Sequence, residues 1–226
     1  MSKISTTWFY IIDNNFGETI QIEKDIYVSL FIHDIAHNIS IDIGENSKVD
    51  VYAFFHTASP QNLRLIQNKN ASKLQLKVLF ISEKDLVSNI SSEIKANHVS
   101  SQIHIISIVK ENHIGVDSSI NIAKESKKIQ ANLDLENIFI GQKWTLSSLP
   151  NLFIDSNDVQ VSHSSKTHRI EENKLFYLKS RGLSTPSSIQ LMTQSYFKKT
   201  FSCLEMIDNH LYEKIYKDFY HEKSLS

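Results

Sequence analysis

From about residue 18 to residue 163, apolar side chains mostly alternate with polar ones. The series Ile39, Ile41, Ile43; Val49, Val51, Ala53, Phe55; Leu74, Leu76, Val78, Phe80; Ile120, Ile122; and Ile129, Ala131, Leu133, Leu135 all keep this period of two. Successive side chains of a strand point to opposite faces, so the period predicts strands with one buried face. Polar stretches such as Gly44-Glu45-Asn46-Ser47 and Pro60-Gln61-Asn62 break the series and predict turns. Many short strands with few helical interruptions leave a sandwich, a barrel or a β-solenoid open. No fixed-period repeat is evident, so a solenoid would have to be irregular.

A second regime begins near Glu171. Glu171 and Glu172 suit the positive end of a helix, Leu175 and Leu178 lie three apart, and Lys179 and Arg181 suit its far end. Gly182 then serves as the residue after the cap. Ser184-Thr185-Pro186 supplies a capping hydroxyl and a first-turn proline, predicting a longer helix to about Asp218. Ile189, Met192, Tyr196, Cys203, Ile207 and Leu211 recur along it at helical spacing. The expected organisation is mainly β, with a core over 1–170 and a helical segment over 171–226.

Composition narrows the functional classes. The 226 residues are 41% hydrophobic and 22% charged with a net charge of −1, which gives no electrostatic case for nucleic acid or an acidic membrane. No apolar run approaches the roughly 18 residues of a membrane span. The start, Met1-Ser2-Lys3-Ile4-Ser5, has no secretory pattern, and a single cysteine, Cys203, forms neither an internal disulfide nor a CxxC site. A cytoplasmic location is the expectation. Five glycines, without GxxxxGK[ST] or GxGxxG, leave no phosphate cradle, so any ATP dependence must come from a partner.

Three segments carry a resemblance. They are Pro150-Asn151-Leu152-Phe153-Ile154, then Val159-Gln160-Val161-Ser162-His163, then Leu175-Phe176-Tyr177-Leu178-Lys179-Ser180-Arg181-Gly182-Leu183. In order and interval they resemble the SufB/SufD family of SUF iron–sulfur cluster assembly proteins. The stretch from Gly115 to Ile140 is similar to the preceding coils more weakly. The resemblance implies a right-handed parallel β-helix whose C-terminal helical segment docks a SufC-type ABC ATPase, with Tyr177 and Arg181 at that contact. It also implies a dimer through the last strands, with a SufB-like or an identical subunit, and His163 near the site of nascent cluster assembly.

The departures from the family pattern point to the SufD kind. The family's SufB cysteine falls at Leu135 and its glutamate at Ser164, so the thiolate and carboxylate that would hold iron and sulfide are missing. Ser164-Ser165-Lys166 replaces the usual turn after the histidine, and His168 stands where SufD often has glycine. The family's N-terminal helical region is largely absent, which lowers the expectation of iron delivery or flavin binding. The expected role is a non-catalytic scaffold that binds no cofactor stably by itself, with a transient cluster at the complex interface. The alternative is an orphan β-solenoid binding protein that kept the fold and lost cluster assembly.

Blander readings compete at each residue. His163 shares strand parity with Val159 and Val161, which suits a core or interface histidine as well as a metal ligand. His163 and His168 need not converge on a metal. His33-Asp34-Ile35-Ala36-His37 mimics HExxH, but the alternation continuing through Ile39, Ile41 and Ile43 predicts strand. On a strand the two imidazoles stand roughly 13 Å apart, too far for one metal. Tyr177 and Arg181, four apart, share a helical face in either reading. The aromatic series Tyr196, Phe197, Phe201, Tyr212, Tyr216, Phe219 and Tyr220 suits a partner surface or packing on the β domain. Cys203 within it reads as a small buried hydrophobe.

Overall fold

The computed structural model describes residues 2–82, 84–110, 112–140, 145–170 and 172–221. These form two compact units, Met1–His168 and Arg169–Ser226. In the first unit the chain passes alternately between two parallel sheets. One holds β1 (Ser2–Ile4), β3 (Thr19–Ile22), β5 (Ile39–Asp42), β7 (Asn62–Gln67), β9 (Leu86–Ile94), β11 (His113–Ile122) and β13 (Thr145–Ile154), in that order. The other holds β2 (Phe9–Ile12), β4 (Tyr27–His33), β6 (Lys48–Phe55), β8 (Lys73–Ser82), β10 (Ser100–Val109), β12 (Lys127–Phe139) and β14 (Asp158–Arg169). Each odd strand and the even strand after it make one coil of a parallel β-helix.

The period of two fills the space between the sheets. Ile20, Ile41, Leu65, Ser92, Ile120 and Leu152 stand in one row across the odd sheet. Val51, Leu76, Ile103 and Leu133 form a row in the even sheet. Nearly all belong to one buried apolar cluster, and a fully buried side chain of this size contributes about 1.5–3 kcal/mol. The even sheet is apolar on its outward side as well. Tyr52, Phe54, Leu79, Ile81, Ile106 and Ile108 have the opposite parity and are nonetheless buried. Continuous runs such as Val78-Leu79-Phe80-Ile81 are the sequence mark of strands buried on both faces.

The missing repeat has a geometric cause. Ser2 pairs with Ile20, 18 residues on, whereas His113 pairs with Thr145, 32 residues on. The coils lengthen along the chain, so no single period fits. Their corners are built from left-handed residues that are not glycine: Asp25, Asn46, Ala71, His98 and Lys128 all have φ between 53° and 61°. The N–H of Asp25 donates to Glu45 O, that of Asn46 to Asn70 O, that of Ala71 to Asn97 O and that of His98 to Lys127 O. These four strained residues are thus held by the next coil. Gly44 lies where a Cβ would stand 2.5 Å from the Glu23 backbone, so the close approach of these coils requires glycine there.

Two strand expectations are corrected. Ser164-Ser165-Lys166, expected to turn after His163, lie within β14, which runs on to Arg169. The alternation from Ile35 to Ile43 is not a single strand: β4 ends at His33, Asp34 turns the chain at φ 45°, and β5 starts at Ile39. His33 and His37 therefore flank a corner.

The second unit holds α1 (Glu172–Ser180), α2 (Thr185–Ile207) and α3 (Asn209–His221). Glu171 lies outside the described residues. Gly182, at φ 91°, closes α1: its N–H donates to Lys179 O at 3.0 Å, and that of Leu183 to Leu178 O at 3.2 Å. This is the Schellman pattern expected of Gly182. Ser184 caps α2, accepting the Ser187 N–H at 3.2 Å. The helix expected to reach Asp218 is instead broken at Asp208 (φ −147°, ψ 88°), whose Oδ1 caps α3 through the Leu211 N–H at 2.9 Å. A kink at Phe201 follows Thr200, whose hydroxyl donates to Tyr196 O at 2.9 Å; such back-bonding bends helices.

The break redirects the aromatic series. Phe197 packs 4.9 Å from Phe201, 5.6 Å from Tyr212 and 5.7 Å from Tyr216, so these rings bury one another between α2 and α3. The side chains of Phe219 and Tyr220 lie outside the description. Among the described residues no helix is long and apolar enough to cross a membrane.

Candidate functional site

The last coil is built differently from those before it. Among the described residues, β13 is bonded only to β11 and β14 only to β12, so each carries one unpaired edge. No residue of either strand is buried. Leu146, Leu152, Val159 and Val161 pack against the core from one side and are half-buried. On the outward side of β13, Leu149 is 56% exposed and Phe153 59%. An edge of this length, with its backbone donors and acceptors unclaimed, is a template for another strand.

His163 belongs to this edge. The Ser162 hydroxyl reaches Asn132 Oδ1 at 2.6 Å and the Ser164 hydroxyl reaches Asp134 Oδ1 at 2.6 Å, each 30 residues away. That register sets His163 level with Leu133, on the opposite side of β14 from the two serines. The imidazole therefore stands on the inward side of the last strand, exposed at the open end. His168 has the other parity, and its Nε2 lies 3.1 Å from Glu136 Oε1. The two histidines point to opposite sides of β14 and do not converge. Leu135 is buried in the core, and Ser164 is committed to Asp134. Among the described residues no group of three or more His, Cys, Asp or Glu side chains is arranged to hold a metal. Cys203 is half-buried in α2.

Tyr177 on α1 and Arg181 in the turn that follows it are brought together. The Arg181 guanidinium lies 5.3 Å from the centre of the Tyr177 ring, a cation–π contact that holds both side chains in one place. No residue of α1 is buried, and Phe176 and Tyr177 are 74% and 56% exposed. The exposure of Phe176 was not anticipated from its position in the motif, although an aromatic beside Tyr177 on a short helix is the available signal.

Sequence comparisons agree with this architecture. Residues 33–196 match the family model for the SufBD core domain of SUF system FeS cluster assembly. The chain is 24% identical over 174 residues to the iron–sulfur cluster assembly protein SufD of Escherichia coli, a match covering 73% of this chain and 40% of SufD. A SufBD family protein of Synechocystis is 24% identical over 141 residues, covering 61% of this chain and 31% of that one. One from Pyrococcus horikoshii is 29% identical over 75 residues, covering 33% and 17%. The chain therefore spans less than half the length of these relatives. With the matched region running from the end of β4 into α2 over a two-sheet parallel β-helix, the chain belongs to the SufBD family of iron–sulfur cluster assembly proteins.

Proposed function

We propose that the chain is a SufD-like scaffold subunit of a cytoplasmic SUF-type assembly complex, without turnover of its own. The observation that carries this reading is the unfinished last coil, where a long edge strand with a half-buried apolar side presents His163. Pairing of that edge with a SufB-like or an identical subunit completes the coil and buries Val159 and Val161. With leucine at 135 and serine at 164, the chain supplies an imidazole at 163 but neither thiolate nor carboxylate at those two positions. The remaining ligands for a transient iron–sulfur cluster, which is cargo here, then come from the partner. Phe176, Tyr177 and Arg181 form an exposed aromatic–cationic patch at the C-terminal end of α1, suited to docking a SufC-type ABC ATPase.

The test is co-expression with the ATPase and the SufB-like protein of the same host, followed by light scattering on a sizing column. A stoichiometric complex that loses the ATPase in the Tyr177→Ala/Arg181→Ala variant supports the scaffold reading. A chain that elutes alone at every concentration, with and without ATP, leaves the orphan binding protein.

A further inference from the structure

One inward row of the even sheet changes character along the solenoid. Phe55, Phe80, Ser107 and Asn137 stand side by side in successive coils. Thr167 extends the row, its Oγ1 3.4 Å from Asn137 Nδ2. In the earlier coils the rings of Phe55 and Phe80 fill this position, 5.2 Å apart. In the later coils a serine and an asparagine occupy it, both almost wholly buried. On the odd sheet, Ser88 and Ser148 flank Val116 in adjacent coils, also on the inward side. Asn137 lies two residues before the end of β12 and Ser148 three after the start of β13, so both sit near the same corner.

These side chains share an unmet need. Ser88 Oγ, Ser107 Oγ, Ser148 Oγ and Asn137 Oδ1 are buried and have no hydrogen-bond partner among the described residues. Buried polar atoms are almost always paired, with protein or with ordered water, so several without a protein partner in one region call for water. Three hydroxyls that donate and accept, plus one amide oxygen, match a ligand that does both. They do not match a transition-metal ion, because carboxylate, thiolate and imidazole are missing from the set.

We propose that the last three coils enclose ordered water molecules bridging Ser88, Ser107, Asn137 and Ser148, a hydrated strip that opens at β14 beside Thr167. Ser165 and His163 continue the same side of β14, so the strip brings water to the strand side that bears the imidazole. The inference rests on the packing of the solenoid and stands whether or not the scaffold reading holds.

Oxygen-17 magnetic relaxation dispersion on the full chain counts long-lived internal waters. The expected result is a contribution from such waters that falls in the Ser107→Val/Asn137→Leu variant and persists in Ser162→Ala, which alters only the outward side. An equal contribution in all three chains overturns the proposal. If the double variant does not fold, a high-resolution crystal structure of the unaltered chain decides. Water peaks within hydrogen-bond distance of Asn137 Oδ1 and Ser107 Oγ support the strip; these oxygens paired to protein atoms in a dry interior refute it.

Discussion

The carboxylate of Asp34 accepts the backbone N–H of His56 at 2.6 Å, across 22 residues of sequence. The same carboxylate takes the Thr57 N–H at 3.0 Å and the Thr57 hydroxyl at 2.7 Å. One side chain thus fastens the corner after β4 to the corner of the next coil, while its own backbone stands at φ 45°. Replacing Asp34 with alanine strands these donors and keeps the strained φ. A loss of about 2–3 kcal/mol is expected, with asparagine losing less because it retains an acceptor and tolerates the left-handed region. Urea denaturation of the three chains checks the order.

Gly182 tests the cap of α1. At φ 91° with nothing within 4 Å of a built Cβ, the position is strained for other residues without being crowded. Gly182→Ala is expected to lose about 1 kcal/mol through backbone strain alone, and Gly182→Asn less. Hydrogen exchange reads the result: faster exchange confined to α1 is expected, with β6, β8 and β10 unchanged.

Tyr212 gives a pH dependence. It is 2% exposed, and burial, with the charges of Glu205, Tyr216 and Glu213 added, pushes its phenol up to about 12 from an ordinary 10. The folded state therefore holds the proton more tightly than the unfolded state. The stability linked to it is fully present below pH 10 and is lost as pH rises from about 10 to about 12. The loss is on the order of 2 kcal/mol. The Tyr212 hydroxyl has no partner among the described residues, so Tyr212→Phe removes a buried polar atom that forms no bond. At pH 7 the variant is expected to be as stable as the original or up to about 1 kcal/mol more so. Its alkaline unfolding is expected to be shallower, as followed by circular dichroism from pH 8 to 12.

What could be read from the sequence follows from which interactions are local. The inward rows were legible because residues such as Ile129, Ala131, Leu133 and Leu135 carry their burial in a period of two. Glu172, the Leu175–Leu178 spacing and Lys179 marked the α1 helix, Gly182 announced its own cap, and the parity of Val159 and Val161 set His163 on a strand. Corner residues such as Ala71 and His98 gave no sign of their positive φ, because the coil above stabilises it rather than their own chemistry. The break at Asp208 was hidden by an apolar spacing that runs on from Ile207 to Leu211, and pairing of Phe197 with Tyr212 depends on that break. The outward burial of Tyr52 and Phe54 was present in the run Val51-Tyr52-Ala53-Phe54-Phe55, which strict alternation passes over.

Two substitutions on β14 separate its edge from its imidazole. His163 is exposed at the open end, so His163→Ala is expected to change stability by less than about 0.5 kcal/mol. In the scaffold reading it leaves subunit pairing intact and removes a ligand, so complexes form at full yield while cluster formation on them falls. Val161 is half-buried on the same side, two residues earlier. A lysine there sets a charge on the inward side of an edge strand, a device that blocks strand pairing. Val161→Lys is therefore expected to abolish pairing on a sizing column, with the circular dichroism of the β-helix retained. If His163→Ala instead dissolves the complex as thoroughly as Val161→Lys does, the imidazole acts as an interface contact, and its assignment as a cluster ligand fails.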